Sequence, residues 1–282
     1  MDSIRRIAAI NDLSGASRCS LTVALPVISA LGIQCCVMPT AILSNHTGFD
    51  SFFFDDYTDK MGEFSNQWQK MNMKFDCIYS GFLGSHKQIE EVLSFIDKFG
   101  TSPAKVIIDP VMGDNGEIYS TYSGKMCDDM KKLVAKADIV TPNITEACHL
   151  SDTKYEGETL PEEKLFEMAQ KIEKLGAKSV IITGHRSKSK VANFVYSGGE
   201  TKSFSTPVVP KYFSGTGDVF ASVIAGLACL GYDVFKSTEF AAKFVHKAAS
   251  MSYCLGLDVN DGICFEKILG DLAAIGVLPE LL

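Results

Sequence analysis

The chain has 282 residues, a formal net charge of -7 and 46% hydrophobic residues. That content supports a sizeable core, and the acidic balance argues against nucleic acid or an anionic membrane as the main partner. Nine cysteines are scattered with no C-x-x-C pair, so zinc and thioredoxin-like chemistry are not expected, and the thiols read as reduced core residues of a cytoplasmic protein. The first residues, Met-Asp-Ser-Ile-Arg-Arg, run straight into an apolar strand pattern. Neither a signal peptide nor a long apolar span is expected.

Short apolar runs predict strands at Ile7–Ile10, Gln34–Ala41, Cys77–Ser80, Lys105–Ile108, Asp138–Val140 and Ser179–Thr183. Several are apolar throughout, as strands buried on both faces are. Helical periodicity lies between them at Cys19–Leu31, Gln88–Phe99, Gly124–Ala135 and Glu162–Leu175. This alternation predicts an α/β fold: a mostly parallel central sheet with helices on both faces. Val191–Tyr196 and Lys202–Ser205, flanking Ser197-Gly198-Gly199-Glu200, predict a β-hairpin. Two helices follow, at about Gly217–Leu230 and Phe235–Leu255. No linker composition divides the chain, so a single domain over 1–282 is expected.

A polar cluster follows each predicted parallel strand. They are Asn11–Gly15, Ser44–Gly48, Gly81–Ser85, Asp109–Asp114, Thr141–Glu146 and Gly184-His185. In a parallel sheet the ligand lies outside the carboxyl ends of the strands. The clusters should therefore converge on one edge and line a single cleft.

Phe213-Ser214-Gly215-Thr216-Gly217-Asp218 opens an apolar helix. Its glycines allow a sharp turn and close approach to a ligand, and the free N–H groups of the helix start make an anion site. A carboxylate there repels phosphate but is well placed to take a proton from an attacking hydroxyl. An N-capping role for Asp218 is the plainer alternative. Asp109, held extended by Pro110, either works in the cleft or caps sheet-end amides. Asn143 and Glu146 have the spacing of a capping-box variant. His46 is either a loop residue or a ring that packs on a substrate. His86, His149, His185 and His246 have no metal spacing and read as structural. Phe49, Phe52, Phe53, Phe54 and Tyr57 form an aromatic run that suits a lid, a dimer surface or plain helix packing. Neither a P-loop nor a dinucleotide-binding glycine fingerprint occurs.

Taken together, Ser44-Asn45-His46-Thr47, Ser80-Gly81-Phe82-Leu83-Gly84, Asp109-Pro110-Val111-Met112-Gly113-Asp114, Thr141-Pro142-Asn143-x-x-Glu146 and Gly215-Thr216-Gly217-Asp218 resemble the pyridoxal kinases of the ribokinase-like superfamily. The resemblance runs in order through about Ile7 to Leu255. It implies a ribokinase-like three-layer sandwich and ATP-dependent phosphorylation of the 5′-hydroxymethyl group of a vitamin B6 vitamer. It also implies a homodimer and a Mg²⁺ requirement, often with a monovalent cation such as K⁺. Asp218 matches the catalytic base, and Gly215, Thr216 and Gly217 match the anion hole. Asp12 and Thr47 match positions that bond the pyridine ring, with His46 and Phe82 on the same acceptor side. Asp114, Asn143, Thr183 and Ser214 fall to the nucleotide, and Asp109 and Glu146 to the metal and phosphates.

Three features depart from the pattern. Asp12 stands where pyridoxal kinases commonly have Ser, and Phe82 where Tyr is frequent. Asp12-Leu13-Ser14-Gly15 is also similar to a segment of the hydroxymethylpyrimidine kinases of thiamine synthesis, which usually carry Cys at the position of Asp218 and lack Ser-Asn-His-Thr. An ionised Asp12 would favour a cationic vitamer such as pyridoxamine. Three functions follow as expectations: a B6 kinase first, a hydroxymethylpyrimidine or sugar kinase second, and a non-catalytic binder of the same fold third.

Overall fold

A computed structural model describes residues 4–100, 104–119, 122 and 124–277. Residues 1–3 of the N-terminal segment used above lie outside that range. In chain order the elements are β1 (Arg6–Ser14), α1 (Ser20–Ala30), β2 (Gln34–Leu43), β3 (Phe54–Asp56), α2 (Thr58–Lys70), β4 (Cys77–Ser80), α3 (His86–Phe99) and β5 (Lys105–Ile108). Then come β6 (Gly113–Asp114), β7 (Glu117–Ile118), α4 (Gly124–Val134), β8 (Ile139–Val140), α5 (Ile144–Leu150), α6 (Glu162–Leu175), β9 (Ser179–Arg186), β10 (Lys190–Ser197) and β11 (Glu200–Pro207). The chain continues through α7 (Thr216–Leu230), α8 (Val234–Cys254), a 3-10 turn at Glu266–Ile268 and α9 (Leu269–Val277).

The described residues form a nine-stranded sheet in the order β11-β10-β9-β8-β5-β4-β1-β2-β3. Neighbours from β2 through β9 pair in parallel, and β3, β10 and β11 add antiparallel edges. Period-2 alternation sends successive side chains to opposite faces. Ala8, Ile10, Ile78, Val106, Ile108, Val140 and Val180 pack under α2 to α6. Ile7, Ala9, Cys77, Tyr79, Ile107, Ile139 and Ile181 pack under α1, α7, α8 and α9. The result is the expected three-layer α/β/α sandwich. All nine cysteines are free, six of them buried. Among the described residues no helix is long and apolar enough to cross a membrane.

Every predicted strand and helix is present. Two hairpins share one turn chemistry. Gly198 and Gly199 have φ of 59° and 84°, and Asn115 and Gly116 have 52° and 83°. Positive φ at both central residues is the two-residue turn that matches strand twist. The second hairpin, β6–β7, was not anticipated, although Asn115-Gly116 is its sequence signature. The aromatic run is not a helix. Phe54 begins the edge strand β3, and Phe52, Phe53 and Phe54 are exposed.

β1 lies between β4 and β2, and the chain leaves it first to one side and then to the other. This reversal opens a crevice at the carboxyl ends of β1 and β4, the usual ligand position in such a sheet.

Candidate active site

The crevice is organised by Asn11, which is fully buried. Its Oδ1 accepts the amides of Asp12 (2.9 Å) and Phe82 (2.8 Å). Its Nδ2 faces the Asp218 Oδ1 at 3.4 Å. Position 81 has to be glycine here, because a Cβ would stand 2.3 Å from the Asn11 Nδ2. Asn11 was not singled out from the sequence; an uncharged amide ending an otherwise apolar strand was the available signal.

Asp218 sits in the first turn of α7, after Gly215 in the left-handed region at φ 80°. A Cβ on Gly215 would fall 1.9 Å from the Arg18 carbonyl oxygen, so backbone contact as well as φ demands glycine. Asp218 makes no capping bond, and the N-cap is Gly215. Burial pushes its carboxyl up, the Ser20 amide pulls it back, the Asp12 charge pushes it up again and Asn11 pulls it back; the result is about 7. Ser20 has φ 52°, a strained backbone for a residue with a side chain. That conformation aims its N–H at Asp218 while its hydroxyl bonds the Asp12 Oδ1 at 2.5 Å.

Asp12 is buried, and its second oxygen accepts from the Ser14 hydroxyl at 2.8 Å. Burial raises its pKa against the pull of both hydroxyls. The carboxyl group is thus desolvated and bonded on both oxygens.

The loop after β2 lies alongside. The His46 Nδ1 accepts the Gly48 amide at 3.1 Å, so the ring is the Nε2–H tautomer and donates to the Asn260 carbonyl at 3.1 Å. It also contacts the Phe49 ring at 4.8 Å between centroids. His46 is therefore a pin within its loop. Thr47 is exposed, and its hydroxyl bonds no described residue. Phe82 is half-buried against the core, its backbone held by Asn11 and by the Thr40 hydroxyl.

Further along the sheet edge, Asp109 is buried and accepts from the Thr141 hydroxyl at 2.9 Å through one oxygen only. Glu146 uses both oxygens, on the Met112 amide (3.0 Å) and the Asn143 amide (2.8 Å). Asn143 answers by accepting the Glu146 amide, completing a capping box on α5, and donates to the Gly113 carbonyl at 2.8 Å. The plain structural reading of that pair is what the structure contains, so Glu146 and Asn143 have little left to offer a ligand directly. Asp114 is half-buried at the start of the β6–β7 turn. Thr183 lies in β9 with its amide on the Pro142 carbonyl, and Ser214 is half-buried next to the glycine turn.

Burial raises Asp109, and Asp218 raises it further; burial and then Asp109 raise Glu146. No lysine or arginine appears among the near charges of either. Neutralisation must come from protonation or a bound cation. The donor set fits a largely hydrated Mg²⁺, which needs few protein ligands, and the second Asp109 oxygen is the one available. Among the described residues no three His, Cys, Asp or Glu side chains cluster as a ready-made metal cage.

Comparison with known proteins decides the family. Residues 24–262 match the model described as phosphomethylpyrimidine kinase. The chain belongs to the phosphomethylpyrimidine kinase family. A solved structure similar to this kinase is a "putative phosphomethylpyrimidine kinase" from Bacteroides thetaiotaomicron, with 37% identity, 96% of this chain and 94% of that one covered, and a TM-score of 0.93. A second crystal form of that protein, with pyridoxal, covers 96% of both chains at a TM-score of 0.91. Among curated relatives, the Bacillus subtilis hydroxymethylpyrimidine/phosphomethylpyrimidine kinase is 27% identical over 66% of this chain and 67% of its own. A "putative pyridoxal kinase" of Schizosaccharomyces pombe is 27% identical over 92% and 90%. Relatives of this kinase thus divide between the two acceptor classes weighed from the sequence.

The raised Asp218 pKa has a consequence for stability. Its folded value lies above the ordinary 3.8, so the fold prefers the protonated form and is penalised as pH rises from about 4 to about 7. Asp218→Asn removes that penalty. Its melting temperature should exceed the wild-type value by a margin that grows across this window and levels off above it. Thermal scans from pH 4 to 8 measure it; a margin independent of pH contradicts the assignment.

Proposed function

We propose that this kinase transfers the γ-phosphoryl group of ATP to the 5′-hydroxymethyl group of a vitamin B6 vitamer. The observation that carries the reading is Asp218, a carboxylate at about 7 placed one residue after the glycine turn at the start of α7. Phosphoryl transfer needs charge stabilisation, in-line positioning and a proton acceptor. The free N–H groups of Gly215, Thr216 and Gly217 supply fixed donors for the transferring group. Asp218 accepts the hydroxyl proton, while Asn11 and the Ser20 amide hold its carboxylate. Asp12, His46, Thr47 and Phe82 shape the acceptor side; Asp114, Asn143, Thr183 and Ser214 shape the nucleotide side. Asp109, backed by Glu146, would hold hydrated Mg²⁺, which when bound neutralises phosphate charge.

Two features favour B6 over hydroxymethylpyrimidine. The loop Ser44–Thr47 sits against the acceptor corner, and residue 218 is Asp. A carboxylate ionises near neutral pH without help, whereas a thiol at its reference pKa of about 8.5 is mostly protonated. The pyridoxal-bound Bacteroides protein adds support. The second reading, a hydroxymethylpyrimidine kinase, is favoured by the family model and by Asp12-Leu13-Ser14-Gly15. Specificity constants for pyridoxal, pyridoxine, pyridoxamine and hydroxymethylpyrimidine decide between them. The expected result is a higher value for at least one vitamer, with Thr47→Ala raising the KM for that vitamer and leaving the KM for ATP nearly unchanged. A higher value for hydroxymethylpyrimidine than for every vitamer overturns the B6 reading.

As the base, Asp218 must be ionised, so kcat/KM should fall as pH drops through about 7. Asp218→Asn should lower kcat by at least about 10²-fold, the scale of a lost general base, with ATP still bound. Near-normal turnover in the variant removes Asp218 from this role.

The exposed Phe52–Phe54 run at the β3 edge supports the homodimer that the resemblance implies. Sedimentation over a dilution series should give a dimer that Phe53→Ser weakens; a monomer at every concentration rejects it.

A further inference from the structure

The segment between α8 and the 3-10 turn has no role in the scheme above, yet it touches both halves of the site. The Asn260 Nδ2 donates to the Gly48 carbonyl at 2.9 Å, and the Asn260 carbonyl accepts the His46 Nε2–H at 3.1 Å. One residue thus holds the acceptor loop at two points. On its flanks, the Val259 carbonyl accepts the Ser214 amide at 3.1 Å and the Ile263 amide donates to the Ser214 carbonyl at 3.0 Å. Those two bonds grip the residue immediately before the Gly215 turn. A third link runs to the loop after β1. The Arg18 guanidinium donates to the Asp261 carbonyl at 2.8 Å and pairs with Glu266 at 2.5 Å. Arg18 is also the residue whose carbonyl abuts Gly215. Gly262 fits only because it lacks a Cβ, which would lie 2.8 Å from the Arg18 Cβ and 3.3 Å from the Ser214 oxygen.

The segment is braced internally. The Asp258 amide donates to the Asp261 carboxylate at 3.0 Å and the Asp261 amide to the Asp258 carbonyl at 3.2 Å; from outside, the Lys211 ammonium donates to the Leu257 carbonyl at 2.6 Å. A short, self-braced piece of chain bonded to two loops fixes the distance between them. The acceptor loop hangs between β2 and the edge strand β3, with few core contacts of its own to hold it. In-line transfer tolerates little error in the separation of acceptor oxygen and phosphorus.

We infer that residues 258–263 form a strap that keeps the acceptor loop 44–48 in register with the phosphoryl turn 214–217, and that Asn260 is a positioning residue for the phosphoryl acceptor. Val259 and Ile263 hold the nucleotide-side Ser214 through their main chain, whereas the Asn260 side chain bonds the acceptor loop, at Gly48. Its effect should therefore fall on the acceptor rather than on ATP. The inference rests on the proposed acceptor side, and the experiment separates the two.

Asn260→Ala deletes the side-chain donor from a half-exposed residue and leaves its carbonyl in place. Amide hydrogen exchange of the intact protein reads the loop directly. Exchange over residues 44–49 should quicken about three- to tenfold, the range one neutral hydrogen bond supplies, with little change over residues 113–118. In steady-state kinetics the KM for the acceptor should rise by a similar factor while the KM for ATP stays within about twofold. Asn260→Asp keeps the shape and loses the donor, so it should behave like the alanine variant. Unchanged exchange over 44–49 in both variants overturns the strap. Faster exchange there with an unmoved acceptor KM overturns the positioning role. If the wild type phosphorylates none of the vitamers or hydroxymethylpyrimidine, the functional reading fails, and the exchange result still decides the strap.

Discussion

Asn11 binds three elements with one carboxamide. It fixes the end of β1, the Phe82 amide in the loop after β4 and the carboxylate of Asp218 on α7. The bonds are possible because Asn11 is buried where the sheet's crossover direction reverses and because residue 81 has no side chain. A buried amide with both ends satisfied is stable and rigid, and half-satisfied it is costly. The orientation of the Asp218 carboxylate is thus a by-product of satisfying a core residue. Ser20 adds to it from the other side by adopting a backbone that isolated serine avoids.

The cleft concentrates negative charge. Asp12, Asp109, Glu146 and Asp218 all carry raised pKa values, with burial the leading cause in each. Their mutual repulsion lowers the stability of the folded chain and favours protonation or a bound cation. The side of the cleft at the β6–β7 turn is bounded differently. Asp114 feels Arg186, which is itself paired with Glu158 at 2.8 Å.

Strand–helix alternation is local and strongly periodic, so the central strands and most helices were legible almost residue by residue. The elements that escaped include α2, a largely polar helix that buries only Met61 and Ser65, and α9 near the C-terminus; the others are short or lie at the rim. β3 has three exposed residues and reads as a bare aromatic run. β6 and β7 have two each, too few for any period. α5 lies inside a segment whose polar residues suggested a loop, although Asn143 and Glu146 already spelled its cap. In the site, the glycine turn and the place of Asp218 in the first turn of α7 were readable because glycine spacing and a helix start carry their own geometry. Asn11 and Asn260 were not, since each acts through partners about 70 or 210 positions away that no local pattern joins.

The loop 44–48 stands outside both cores. Its attachments are hydrogen bonds to Asn260, Ser17 and its own neighbours rather than packed side chains. Residues there can be exchanged without opening a cavity in either layer of the sandwich. The α7 turn, by contrast, is wedged against the Arg18 backbone and admits almost no change. Under the function proposed above, substitutions that retune this loop are therefore nearly uncoupled from folding stability, whereas those at the turn are not.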